Sequence, residues 1–543
     1  MKIIIIIFII ANITFGQTIN SFKQEQLQKL DSIAVQDVPQ NAHGIAVGIV
    51  KDGKIVYKKY AGYANLKDSQ LINESSRFNI ASNGKQFTAL AILVLARDKK
   101  LNLKDDIRKF FPKFYPNISE KITIENLLNH TSGVRDVYDL WSLQGITWWK
   151  NSFDNQDVIK LVQEQKELNF KPGTKYLYSN TNYMLLAEIV GKVSGKSFVA
   201  FTKELFKKLN MPETSFENDH TKIRGQIAKA YFNFGTWTDY EWIWNVHGDG
   251  NNFSTLADQL EWEKIVQTKS NRFLGKDLIE KSQKLTQNSI IKSYGYGLEF
   301  GDYKGFSYKF HEGATGAWKA TTVRFPSQNI SIVTLTNTGK AIPSMQTRQM
   351  ADVVLGIENT KETFLTKPQA VGSFVSVEDI LGIYQNENDF TFQFEKRNDE
   401  LFLIRFGRND IKILRESGNV FHQSNDPDFK QEFKRNAKGE MEVTAYYTSH
   451  APYTLRKLNV DWSNFDYKKL EGNFINEETK VVLKFKYLKD KDFEVSYSNK
   501  TNKALLISPT KLVMGNYTLE FENNEILLNS DRIRKVRFKR FNQ

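Results

Sequence analysis

The sequence predicts an α/β sandwich with a helical lobe, followed by two small antiparallel β-barrels. Three observations lead there. Helix-period and strand-period apolar patterns alternate through residues 17–360. From residue 361 helical periodicity stops and short alternating runs take over. Within that second part a segment returns: Gly382-Ile383-Tyr384-Gln385-Asn386 matches Gly472-Asn473-Phe474-Ile475-Asn476, an offset of 472 − 382 = 90 residues. At 543 residues the chain is too long for one core, so several domains are expected.

The elements follow in order. Met1 and Lys2, an apolar core over residues 3–10 and small residues around Gly16 read as a secretory leader cleaved after Gly16. That core is far too short to span a bilayer, and no other run is long enough. Export, most simply to a bacterial periplasm, is the expectation. A helix is predicted over 22–35 and strands over 44–50 and 54–60, with Asp52-Gly53 as their turn. A strongly apolar helix opens at Ser82. The polar middle, residues 136–169, carries Trp141, Trp148 and Trp149, suited to a groove wall or to a loosely packed lobe. A helix is expected over 255–266, β runs over 319–325 and 330–336, and a last helix over 344–355. The first and last strands would share one sheet, with helices on it and the lobe inserted between. After a linker at 361–375, barrels are expected over 376–460 and 461–543, folding apart from the first domain. Each repeat carries an alternating strand: Phe390, Phe392 and Phe394 in one, Val481, Leu483 and Phe485 in the other.

Composition narrows the function classes. Without cysteine there is no disulfide, thiol nucleophile or iron–sulfur ligation. The 7 histidines form no H-E-x-x-H pair, and no metal or other cofactor is expected. The net charge of +13 is spread along the chain, so nucleic acid is not expected as a partner. The densest basic run, residues 532–540, alternates with Ile533, Val536 and Phe538, the pattern of a strand with one wet face. Adhesion to anionic cell-wall polymer is the weak alternative for that charge.

Chemistry concentrates at Ser82 and Lys85. A serine at a helix start sits near the positive end of the helix dipole, and a lysine three residues on lies one turn along the same face. An amine beside a hydroxyl can take its proton. The S-x-x-K pattern occurs three times, at Ser82/Lys85, Ser289/Lys292 and Ser508/Lys511. Only Ser82 opens a long apolar helix; Ser508 precedes Pro509 and a β run, and Ser289 precedes Tyr294-Gly295-Tyr296-Gly297. Two further motifs follow. Tyr178 and Asn180 stand at a loop-to-helix junction, and Phe310-His311-Glu312-Gly313-Ala314 precedes paired β runs.

The order Ser-x-x-Lys, Tyr-x-Asn, then a Lys/His-x-Gly strand resembles the serine β-lactamase and penicillin-binding-protein superfamily, particularly its class C, DD-peptidase, D-aminopeptidase and esterase branch. The stretches 44–54, 101–106 and 127–133 are similar to that family too. The resemblance implies an antiparallel sheet flanked by helices, with lipocalin-like barrels behind it as in D-aminopeptidase-type members. It implies Ser82 as nucleophile, with Lys85 and Tyr178 sharing its proton. Lys85 and His311 would supply the positive field that makes a phenol near pKa ~10 useful at neutral pH. Asn180 would bind the substrate amide and position Lys85. The N–H groups of Ser82 and Ala314 would form the oxyanion hole. His311-Glu312-Gly313 stands where the penicillinases carry Lys-Thr-Gly. Glu312 would repel acidic substrates or bind a free amine if it faces the cleft, and do neither if strand alternation turns it away.

Other motifs carry less. Residues 191–197 nearly spell a phosphate loop but follow a helix, so Gly195 reads as a helix cap. His247-Gly248-Asp249-Gly250 reads as a glycine-rich turn, and His130 as a residue bonding its own loop. The expected activity is hydrolysis, through an acyl-serine, of a small peptide, amide or ester, with D-amino-acid or peptidoglycan-type peptides first. An esterase or β-lactamase is the alternative within the family. A catalytically inactive protein that holds cell-wall fragments is the alternative outside it.

Overall fold

The computed structural model describes residues 22–38, 42–233, 236–286, 291, 293–339, 341–357, 374–446, 452–463 and 465–541. The expected leader, Ser289 and Lys292, and most of the expected linker lie outside them.

A six-stranded antiparallel sheet forms the centre, in the order Glu299–Tyr303, Phe306–Thr315, Trp318–Phe325, Ile330–Thr336, Ile45–Lys51, Lys54–Ala61. First and last strands are neighbours: Val47 lies opposite Thr334 and Ile49 opposite Ile332. The Ile45–Lys51 strand is an unbroken apolar run because both of its faces are covered. Val47 and Ile49 pack with Leu30, Ala34 and Met350 from the helices Gln24–Val35 and Pro343–Leu355. Ala46 and Val50 face the other way, into the core of the lobe. Gly48 lets the helix Leu256–Thr268 approach: a Cβ there would lie 2.6 Å from Leu260 Cδ1.

The lobe packs on that second face. The helix Lys85–Arg97 is buried along nearly its whole length, against Asn180–Ser194 and Phe198–Lys208. Helix Asn180–Ser194 ends on Gly195 at φ +70°, the left-handed cap that glycine adopts without cost. Within 136–169 the chain forms helices Val137–Leu143 and Asn155–Glu164, and Trp141 is fully packed against Phe153 at 4.4 Å. No helix among the described residues is long and apolar enough to cross a membrane.

Two closed eight-stranded barrels follow, Gly382–Gln385 to Tyr453–Lys457 and Gly472–Ile475 to Val536–Phe541. The repeat is structural. Gly382 (φ +129°) and Gly472 (φ +140°) open each barrel, and Tyr384 and Phe474, two residues on, are fully buried. Phe392 and Phe394 fill the first interior, Leu483 and Phe485 the second.

The expectation that both barrels stand apart from the first domain needs correction. The first barrel has its own core. The second shares one continuous buried apolar cluster with the lobe. Arg135, 1% exposed, pairs with Glu478 at 2.6 Å and donates to the Lys535 carbonyl at 3.1 Å. Gln144 donates to the Thr479 carbonyl and Ser498 to that of Leu143. A barrel repeat reads the same in sequence whether its outer surface is wet or docked, so the contact had no local signal.

Candidate active site

Ser82 sits on the 3₁₀ turn Ala81–Gly84, which runs directly into the helix Lys85–Arg97. Ala81 takes φ +48°, a left-handed conformation costly for a residue with a Cβ. Asn79 Oδ1 accepts its N–H at 2.9 Å, and the Ile80 N–H donates to the Asn252 carbonyl. The turn is thus fixed from both sides, and the Ser82 side chain is half-buried at the edge of a cavity.

Lys85 is fully buried. Its Nζ donates to Ser82 Oγ at 2.9 Å, to Asn180 Oδ1 at 3.0 Å and to the Asp249 carbonyl at 2.6 Å. The orientation of Asn180 follows from its other contacts. Asp136 Oδ2 accepts both its backbone N–H (2.6 Å) and its Nδ2 (3.1 Å), so its oxygen faces Lys85. Two of the amine's three partners are therefore pure acceptors. Only the Ser82 hydroxyl can reverse the bond and donate to a free lone pair. Burial brings the amine down to about 8, against the pull of Asp249 and Asp136 and with the help of Arg532.

Tyr178 stands near Ser82, and the Lys85 ammonium lies 5.1 Å from its ring centroid. Burial pushes its phenol up, out of the range where it ionises near neutrality, although Ser82 and Arg532 pull the other way. The ring rests on His130 at 4.3 Å. His130 Nδ1 accepts the Ser179 N–H at 3.2 Å, and burial holds the imidazole neutral. His130 thus braces the loop that carries Tyr178 and not its own, which corrects the sequence expectation.

The His311 strand meets the serine turn edge-on. A Cβ on Gly313 would lie 2.5 Å from the Ile80 carbonyl oxygen and 2.9 Å from the Ser82 nitrogen, so the approach needs glycine. Ala314 borders the cavity beside Ser82. His311 Nδ1 donates to the Glu312 carbonyl at 2.8 Å, and its Nε2 accepts from Tyr294 at 3.1 Å. Burial, with Lys85 adding to it, takes this imidazole down to about 3. It is neutral at physiological pH and supplies no cationic field, which corrects the sequence expectation. Glu312 is turned away from the cavity. Its carboxylate forms an ion pair with Arg348 at 2.9 Å, off the ideal hydrogen-bond direction. The repulsion of acidic substrates expected from Glu312 has no source in this geometry.

The cavity measures about 470 Å³. Tyr138, Trp148, Trp149, Tyr240, Trp242 and Trp244 wall one side, so two of the three tryptophans singled out in sequence line a groove. Asn251 holds that wall: its Oδ1 accepts from the Trp242 indole at 3.2 Å, and its Nδ2 donates to the Trp244 carbonyl.

Sequence reasoning missed several participants. Asp136 anchors Asn180 and caps the helix Val137–Leu143. Asp249 acts through its carbonyl on Lys85 and through its carboxylate on Tyr138, at 3.0 Å. Its glycine-rich motif, residues 247–250, predicts only a turn. Arg532, from the second barrel, lies over Tyr178 at 5.4 Å and lines the cavity. The basic run containing it has, in sequence, the pattern of a solvated strand face. Ser508 and Lys511 lie on barrel strands, and Lys511 is spent on Asp389 at 2.8 Å.

Comparison with known proteins assigns the family and the fold. The family model described as Beta-lactamase matches residues 30–356. Protein flp of Staphylococcus aureus strain MRSA252 is 30% identical over 331 residues, covering 57% of this chain and 62% of the relative. A D-aminopeptidase of Brucella anthropi is 24% identical over 337 residues, covering 60% and 62%. Each match therefore spans under two thirds of the relative's length. The octameric penicillin-binding protein homologue of Pyrococcus abyssi shares the fold with a TM-score of 0.56 at 20% identity, covering 94% of this chain and all of that one.

Proposed function

Because the chain belongs to the beta-lactamase family, we propose that it is an exported serine hydrolase that forms an acyl-enzyme on Ser82. The observation that carries this reading is the Lys85 amine 2.9 Å from Ser82 Oγ, with its other two bonds given to acceptors that cannot donate back. Neutral Lys85 takes the hydroxyl proton as Ser82 Oγ attacks the substrate carbonyl carbon. The oxyanion forms against the N–H groups of Ser82 and Ala314, where losing one donor costs about 3 kcal/mol. Tyr178 then gives its proton to the leaving nitrogen or oxygen and regains one from the Lys85 ammonium. Water hydrolyses the ester by the reverse path, with Lys85 and Tyr178 returning to their starting states. In this scheme Lys85 is the base and Tyr178 a proton-bearing relay, because burial disfavours the phenolate.

The aromatic wall suits an acyl group with a large apolar side chain, and the D-aminopeptidase relative favours D-amino-acid peptides or amides as substrates. Hydrolysis of carboxylate-bearing rings such as β-lactams stands as the second reading, because Arg348 neutralises Glu312 on the far side of the strand. The leader-like residues 1–16 support export. A fluorophosphonate probe followed by peptide mass spectrometry tests the nucleophile. The adduct is expected on Ser82 alone; an adduct on Ser179 or Ser508, or none, would overturn the assignment.

A further inference from the structure

We propose that Arg532 forms, across the junction of the second barrel and the lobe, a subsite for a carboxylate on the substrate. The subsite rests on the reading of Ser82 as nucleophile. Residues 530–535 join the barrel's last two strands, Glu525–Asn529 and Val536–Phe541. The lobe holds this loop from both sides. Asp139 Oδ2 accepts from Ser530 Oγ at 2.5 Å and from the Arg532 N–H at 3.3 Å. Asn169 donates to the Arg532 carbonyl at 3.1 Å and accepts the Arg534 N–H at 2.7 Å. The backbone of Arg532 is thereby pinned and its side chain enters the cavity that Ser82 borders.

The guanidinium is not used up there. It brings five N–H donors. Among the described residues the carboxylate within ion-pair distance is Asp136, at 3.9 Å, too far for a hydrogen bond; Asp139 and Asp531 act on it from farther off, and the side chain donates no hydrogen bond to any side chain or carbonyl. The guanidinium's central carbon lies 5.4 Å from the Tyr178 ring centroid, and the side chain lines the cavity. Lys85, the other cation here, has all three bonds taken.

The nearby carboxylates do not cancel this site. Asp136 receives the Tyr138 N–H and both Asn180 donors. Asp139 is engaged by the loop itself, and burial beside Asp136 pushes it up to about 6. Asp249 takes the Tyr138 hydroxyl, and burial pushes it up as well. A planar fork with free donors beside a nucleophile is the geometry that receives a carboxylate in paired bonds. The ligand class is thus a peptide or amide with a carboxylate close to the scissile bond, and the second barrel selects it.

The test uses the full-length protein and two phosphonate esters that label serine, identical except for a carboxylate on the leaving-group ring of one. The readout is the ratio of their second-order rate constants for labelling Ser82. The wild type is expected to prefer the carboxylate probe. Arg532→Gln should lower the ratio roughly tenfold or more, and Arg532→Lys should keep part of it, as a charge without the fork. An equal ratio in wild type and Arg532→Gln would overturn the subsite while leaving the nucleophile in place. Failure of both probes to label Ser82 would overturn the hydrolase reading and the subsite with it.

Discussion

With burial holding the Lys85 amine at about 8, roughly a tenth of it is neutral at pH 7, and the neutral form is the one that can accept the Ser82 proton. The sign follows directly. Below that value the ammonium predominates and acylation slows, approaching tenfold per pH unit; above it the rate levels off. The pH dependence of kcat/KM should therefore rise with an apparent pKa near 8. A profile flat from pH 6 to 9 would show that Lys85 is not the base. Arg532 lowers the amine further, so Arg532→Gln should move the inflection upward. Tyr178→Phe keeps the ring that packs on His130 and removes only the relayed proton. It should cut turnover by ~100-fold or more, with the larger loss on substrates with poor leaving groups. Activated esters, whose leaving groups need little protonation, provide the comparison.

At the scale of elements, two pieces of backbone meet: the turn Ala81–Gly84 and the strand Phe306–Thr315. Their separation is set by the missing side chain of Gly313. In Gly313→Ala the new methyl lies 2.5 Å from the Ile80 oxygen, and both neighbours are backbone that cannot swing aside. The strand must withdraw, and a displacement of about 1 Å at the reacting centre costs on the order of 100-fold in rate. The variant should keep its overall fold by circular dichroism and lose most Ser82 labelling; unimpaired labelling would remove this contact from the site. The parts of the site legible in sequence were those that lie on one element. Lys85 follows Ser82 by one turn, so helix geometry brings that pair together, whereas Tyr178 and Asn180 lie two residues apart at a loop-to-helix junction and are marked by their place in the motif order. Asp249 was not legible, because it serves Lys85 with a carbonyl that any residue possesses. Arg532 was not legible either, being 450 residues beyond Ser82 (532 − 82 = 450) in a run whose alternation resembles a wet strand. The direction of Glu312 depended on strand parity relative to the serine turn, which pairing fixes and sequence leaves open.

At the scale of the whole molecule, the second barrel is bound to the lobe through a buried charge. Arg135 is 1% exposed, and Glu478 is the carboxylate that meets it at hydrogen-bond distance. Glu167 lies farther off, at 3.7 Å, and is largely open to water. Breaking a buried pair from one side leaves the other charge without its partner, a loss of about 3–5 kcal/mol. Glu478→Ala should therefore lower the melting temperature of the full chain. It should also release the loop that carries Arg532, which hangs from the same face through Asp139 and Asn169. Removing everything after Gly356 goes further, because it uncovers Arg135 together with apolar surface of the lobe. That truncated chain should be aggregation-prone, whereas the first barrel, with a core of its own, should melt cooperatively as an isolated fragment. Sedimentation and thermal melts of the three proteins decide the matter. A soluble truncated chain with an unshifted melt would mean that the barrel rests on the lobe without stabilising it. Paired with a Glu478→Ala protein of unchanged stability, it would return the barrels to the independent standing that their repeat alone suggests.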